Sequence, residues 1–331
     1  MTRSIRSATP ADLPRMVDLL MQDARQRHAV DPILWALADD APAQIEKAVI
    51  FALTVEEQPF RQTWLVAAEG DGLVGVIHAM HLPVPPIYTG RHGPPGLILP
   101  DSFVATDASE GTVEALVEAA EADLREAGAE ITVSSFVTGE EWRSCFERQG
   151  YEPLTLYLAR TDLGDAGAPA GVRSATEDDV PGIVARSAEN RAVLVGLDPF
   201  WETHPEADTR FERWMRRSLT LDDRDMLVTG PPDDLEGYVI AQPASRLHFP
   251  PAHDISGTGV IDDYYHPDYA DPSALVDKGE GAGALLRAAE KAFADRGIGA
   301  AFIVCPAAWH SKIELLEGAG YETAMVWSIK R

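Results

Sequence analysis

The side chains with the widest chemical range stand in one short stretch, "DDYYH", residues 262–266. It puts two carboxylates, two phenols and an imidazole in consecutive positions. In an extended strand, side chains alternate between faces, so Asp263 and Tyr265 share one face and Asp262, Tyr264 and His266 the other. Either face can meet a cleft. Asp262 or Asp263 could take up a proton or hold a cationic group, and Tyr264 or Tyr265 could supply a proton. Two adjacent acids are costly to bury without a partner or a task. Further on, "WHSK" (309–312) opens a helix. Histidine is a side-chain type suited to general base or acid work, which makes His310 a candidate, and Ser311 could donate a hydrogen bond. Cys305 reads as a small buried hydrophobe.

A second feature is "KGEGAG", Lys278–Gly283, which runs into an alanine-rich helical stretch. A helix N-terminus carries unpaired N–H groups and partial positive charge, which attract anions. Glycine clears side chains from the approach. Glu280 places a carboxylate inside the same loop, against that charge preference.

The elements that would position these groups occur twice. "IRSATPADLPRMVDLL" (5–20) matches "VRSATEDDVPGIVARS" (172–187), and "DPILW" (31–35) matches "DPFW" (198–201). "ALVEAAEADLREAGAEI" (115–131) matches "ALLRAAEKAFADRGIGAAF" (284–302), and "ERQGYE" (147–152) matches "EGAGYE" (317–322). Matches in constant order at a domain-sized period read as a tandem of two like domains. The expected units are 1–160 and 172–331, joined by a Gly- and Pro-containing linker over 161–171. Each unit reads as a strand, helices with Thr9 or Thr176 at the N-cap, a strand meander, the quoted helix, a strand, a helix, a Gly-Tyr turn and a last strand.

This order resembles the GNAT superfamily of acyl-CoA-dependent N-acyltransferases over both halves of the chain. "KGEGAG" fits that family's Q/R-x-x-G-x-G/A coenzyme loop, and "GAGYE" (318–322) its turn before the last strand. The resemblance implies an α/β (α+β) fold of two tandem GNAT-like domains, each a mixed, mostly antiparallel sheet flanked by helices. It implies acetyl-CoA as co-substrate, held by Tyr265, His266, Lys278, Gly279, Gly281, Ala282, Gly283 and Ala284. The splayed fourth strand, Val260–His266, would pair with the pantetheine arm. Candidate catalytic residues are Asp263, Tyr265, His310 and Ser311. Candidate substrate-binding residues are Asp262, Tyr264, Asp198 and Trp201, although Trp201, like Trp35, also suits a packing anchor. In the family a Tyr near the last turn commonly protonates the departing thiolate; that position is Leu316 here and Phe146 in the first repeat, and neither can donate a proton. In the first repeat, Glu110, Thr112 and Glu114 align with the three glycines, so coenzyme binding is expected in the second repeat alone. The implied reaction is transfer of an acetyl group to a small, cationic amine, with a non-catalytic acyl-CoA-binding or interaction module as the alternative.

Net charge is −25 at pH 7, spread over both halves. That surface disfavours nucleic acid, whose affinity rests on Lys and Arg at phosphates. No run approaches the roughly 18–20 apolar residues of a membrane helix. Two cysteines make neither a disulfide framework nor a zinc spacing, so no metal is expected. The expected state is a cytoplasmic monomer or homodimer.

Overall fold

The computed structural model describes residues 3–136, 140–163 and 169–331. The linker expected over 161–171 therefore lies partly outside the described residues.

The first repeat contains β1 (Arg3–Ser7), α1 (Leu13–Val30), α2 (Ala41–Thr54), β2 (Arg61–Glu69), β3 (Gly72–His81), β4 (Gly96–Ile98), β5 (Phe103–Val104), α3 (Thr112–Glu126), β6 (Thr132–Phe136), α4 (Glu140–Arg148) and β7 (Glu152–Arg160). The second contains β8 (Val172–Ser174), α5 (Val180–Leu197), α6 (Ala207–Ser218), β9 (Asp225–Thr229), β10 (Gly237–Pro243), β11 (Thr258–Ile261), β12 (Tyr264–Tyr265), α7 (Glu280–Asp295), β13 (Ala300–Pro306), α8 (His310–Gly318) and β14 (Glu322–Lys330). Pairing is antiparallel except for β4 with β6 and β11 with β13.

The duplication extends to individual hydrogen bonds. Asp12 accepts from Thr9 N and Oγ1 and is paired with Arg6; Asp179 accepts from Thr176 N and Oγ1 and is paired with Arg173. Each carboxylate fixes the chain reversal between first strand and first helix, and the arginine holds Asp179 down to about 2. Tyr151 donates to Glu121 and Tyr321 to Glu290, each at 2.9 Å, locking the Gly-Tyr turn to the helix before it.

The two repeats exchange their last strands. β14 lies between β6 and β7, and β7 lies between β14 and β13, so one sheet runs through the molecule. The side chains at the strand ends make reciprocal contacts. Lys330 Nζ reaches Glu121 of α3 at 2.7 Å, and Arg160 reaches Glu290 of α7 at 3.4 Å. The packing units thus differ from the sequence units: residues 152–160 complete the second sheet, and residues 322–330 the first. Pairwise pattern matching detects a repeat but not which copy its last strand joins.

Glycine has a packing role at Gly259, in the middle of β11. A Cβ there would collide with the ring of Phe293 on α7, which is 1% exposed and cannot swing away. Gly259→Ala should destabilise the chain by about 1–3 kcal/mol, read as a lower midpoint in chemical denaturation at unchanged slope.

Candidate active site

Between β11 and β12 the strand slips register. Gln242 faces Val260, but Val239 faces Tyr264, so one extra residue is accommodated on the β11–β12 side. Such a bulge breaks the alternation of faces. Its consequence is decisive: Asp262 and Asp263, expected on opposite faces, both open onto the same cleft of about 610 Å³. β13 follows β11 only as far as the Ile261–Ile303 pair. Beyond it the strands part, and the cleft lies at this opening under α5, α6 and the start of α8.

The two carboxylates have different surroundings. Asp262 accepts from Gln242 Nε2 at 2.8 Å, and Gln242 in turn accepts from Arg224 at 3.0 Å. The main-chain carbonyl of Asp263 accepts from Ile240 N at 2.9 Å, fixing the bulge to β10. Enclosure by protein and the charge of Asp262 push the Asp263 carboxyl up to about 7, against the pull of Arg191 and Lys312. The Asp262 carboxyl is also raised by the surrounding protein, although the residue itself is exposed to solvent. Lys312 is buried among aromatic rings, with Nζ 5.4 Å from the centroids of Tyr264 and Trp309. Burial lowers its pKa, while the two aspartates support its charge.

The first repeat supplies part of the cleft wall. Its β3–β4 loop crosses to the second repeat, where Thr89 N donates to Glu202 O at 2.8 Å and His204 N to Ile87 O at 3.0 Å. This places Tyr88 against Trp201, with ring centroids 5.5 Å apart. The phenol is held well above its ordinary pKa by burial and by the charge of Asp263, so it is a neutral hydroxyl on the wall. The β10–β11 loop returns the contact, pairing Leu37 with His253. Over the first repeat it roofs a smaller cleft of about 380 Å³. There Asp101 contacts His78 Nδ1 at 3.0 Å, and His78 stacks on Trp64 at 4.0 Å.

Of the candidate side chains, the cleft gathers Asp262, Asp263 and Trp201, together with Trp309 and Lys312 of "WHSK". The others stand elsewhere. Tyr265 is buried and pairs with Tyr238 of β10; burial, and then the charge of Glu189, pushes its hydroxyl up to about 12. Tyr264 donates its hydroxyl to Ala282 O at 2.7 Å and so anchors α7. Asp198 caps Phe200 N at 2.8 Å and pairs with Arg331. His310 is exposed and does not line the cleft. Ser311 is buried and donates to Asp271 O at 2.7 Å and Tyr269 O at 3.1 Å, tying α8 to the segment before α7. Leu316 and Phe146 are core side chains. Sequence reading overlooked Lys312, Asn190 and Tyr88. Lys312 belongs to the quoted "WHSK" stretch but carries no local sign of burial, and nothing local marks Tyr88.

The sequence resemblance implies an acyl coenzyme here, with its diphosphate at the start of α7. The N-cap is Gly279, at φ +69, preceded by left-handed Asp277 (φ 46) and Lys278 (φ 54). One of the helix-start amides is taken: Ala282 N donates to Asp268 Oδ2 at 3.0 Å. Asp268 N donates to His266 Nδ1 at 3.2 Å, on a ring that burial keeps neutral. A Cβ on Gly281 would strike this same imidazole, so the glycine is there to admit His266 and Asp268. The outward carbonyl of β12, Tyr264 O, accepts from Tyr269 at 2.8 Å and Lys312 at 3.3 Å. In this conformation His266 and Asp268, from the chain's own 266–279 segment, stand against the start of α7 where a diphosphate would approach, so the seat does not fit one without their displacement. That segment is the long connection of the sequence, 7 residues longer than its counterpart between β5 and Gly111. Lys278 is exposed on this loop, and Gly283 and Ala284 lie in the first turns of α7. In the first repeat the left-handed cap glycine is kept as Gly111 (φ 79), so the copies align one residue differently from the sequence match. There Glu69 accepts from Ser109 N at 3.0 Å and Ser109 Oγ at 2.8 Å beside the helix start.

Antiparallel meander, bulged and splayed strands, cap glycine and flanking helices define the GCN5-related N-acetyltransferase (GNAT) fold, present here twice in tandem. Among solved structures, a GCN5-related N-acetyltransferase from Sphaerobacter thermophilus matches 99% of this chain and 95% of its own at 16% identity, with a TM-score of 0.54. A tandem GNAT protein from the clavulanic acid biosynthesis pathway matches 99% of this chain and 97% of its own at 14% identity, with a TM-score of 0.51. No protein-family model matches the sequence, and no curated protein is similar to it. Among the described residues no helix is long and apolar enough to cross a membrane, and no group of three metal-ligating side chains occurs.

Proposed function

We propose that the chain is an acetyl-CoA-dependent N-acyltransferase that acylates a small-molecule amine in the cleft of the second repeat. The first repeat is its scaffold and contributes the Tyr88 wall. The observation that carries this reading is the pair Asp262–Asp263 on a bulged central strand, with Asp263 poised near 7. Amine acylation needs the ammonium of the acceptor to lose a proton before attack, and a base near neutrality does this best. Asp263 takes that proton, and Asp262 keeps a negative charge beside it to hold the cation. Both functions need carboxylates that water reaches only through the cleft. The coenzyme supplies the activated acyl group when bound. For it to enter the second repeat, Asp268 and Tyr269 must leave the α7 start and the β12 edge. Buried free thiols at Cys145 and Cys305 suit a reducing cytoplasm.

Two observations favour a second reading, a non-catalytic module: Asp268 occupies a helix-start amide, and Leu316 stands where the resembled family's usual acid does. Free-thiol release from acetyl-CoA across a panel of amines separates the two. An enzyme gives amine-dependent thiol above the hydrolysis background, whereas a module gives none with any amine.

A further inference from the structure

A second charge-bearing part of the cleft lining is built on α6. Arg213 and Arg217 are one helical turn apart, both line the cleft, and neither guanidinium makes a hydrogen bond or ion pair among the described residues. Their neighbours are engaged. Arg210 donates to Pro86 O at 2.6 Å and Glu206 at 2.8 Å, and Arg216 pairs with Glu212 at 2.8 Å. In a chain of net charge −25, two unpaired guanidiniums over one cavity are a local departure from the surface as a whole. Guanidinium is the side chain best shaped to hold carboxylate or phosphate oxygens in a fork.

Buried polar groups that lack partners lie in the same cavity. Asn190, 8% exposed, has its Oδ1 unpaired, and the Trp201 indole N–H is likewise unpaired. Unpaired buried groups of this kind are costly unless a ligand completes them. Asn190 Oδ1 with Asp262 and Asp263 forms an acceptor set that suits an ammonium. Trp201 Nε1 with Arg213 and Arg217 forms a donor set that suits an oxyanion.

We infer that the acceptor is not a simple cation but a bipolar amine, carrying a carboxylate or phosphate in addition to the amino group. The amino group sits at Asn190 and the aspartates, and the anionic group sits at Arg213 and Arg217. This rests on the proposed acyl transfer for the role of the amino group. The charge complementarity itself is independent of catalysis and can be measured without it.

The test uses matched probe pairs: 2-phenylethylamine with L-phenylalanine, and ethanolamine with O-phosphoethanolamine. Each is titrated calorimetrically into the full chain without acyl donor, and each is then assayed for thiol release from acetyl-CoA. Tighter binding of at least one anion-bearing member, by about tenfold or more over its plain partner, is expected. In the double variant R213A/R217A, at two exposed positions, that ratio falls to within about threefold of one. Which pair responds separates carboxylate from phosphate. If the plain amines bind as well or better in both pairs, or the preference survives R213A/R217A, the inference is overturned. Preferential binding without thiol release from any probe would uphold the bipolar ligand and remove the acyltransferase reading.

Discussion

Asp263→Asn should lower kcat/KM for amine acylation by about 10²–10⁴-fold, the usual contribution of a positioned general base. The amide keeps the shape of the side chain and its place on the bulge but cannot take the proton. Asp262 cannot substitute fully, because its carboxylate is engaged by Gln242. The same substitution should also stabilise the protein above neutrality. The folded chain holds the Asp263 carboxyl near 7, above the unfolded value of about 3.9. Between those values the folded state binds the proton and the unfolded state does not, so stability falls as pH rises from about 4 to about 7. Asparagine removes that loss. Chemical denaturation should therefore show D263N more stable than the parent at pH 8 and closest to it near pH 4. A variant both inactive and less stable at pH 8 would point to Asp263 as a structural group.

Asp268→Ala should act in the opposite sense on coenzyme affinity. Its carboxylate occupies one of the helix-start amides that a diphosphate would compete for, through the 3.0 Å bond from Ala282 N. A capping carboxylate is worth about 0.5–2 kcal/mol. Removing it should cost the folded chain that amount and return a similar amount to any anion that takes its place, up to roughly thirtyfold in Kd. In thermal scans the variant should melt lower than the parent alone, yet gain more from added acetyl-CoA. Weaker coenzyme binding by D268A would show that the carboxylate does not compete for that seat.

Local rules in the sequence carried much of the fold. The Thr-x-x-Asp reversals at Thr9 and Thr176, the Gly-Tyr turns and the alternating strands all appear where their patterns place them. What remained hidden depends on contacts between distant residues. The exchange of β7 and β14 is decided by which sheet edge each last strand meets, and the strand sequences read alike. The bulge at Asp262–Asp263 is a register slip that strict alternation cannot reveal. Around α7, the glycine spacing is compatible with two occupants of the same space, a diphosphate or the His266–Asp268 pair. Only the path of the long 266–279 connection separates them. Glu280, an acid in the expected anion loop, was the local sign against an open seat. Tyr88 reaches the cleft from the other repeat, across more than a hundred residues of chain.

The most direct test of the central claim is the pH dependence of kcat/KM for amine-dependent thiol release from acetyl-CoA, compared between the parent and D263N. The account predicts an ascending limb with a midpoint near 7 in the parent, lost together with most of the rate in D263N. An unchanged limb and rate in D263N, or no amine-dependent thiol release by the parent at any pH, would contradict it.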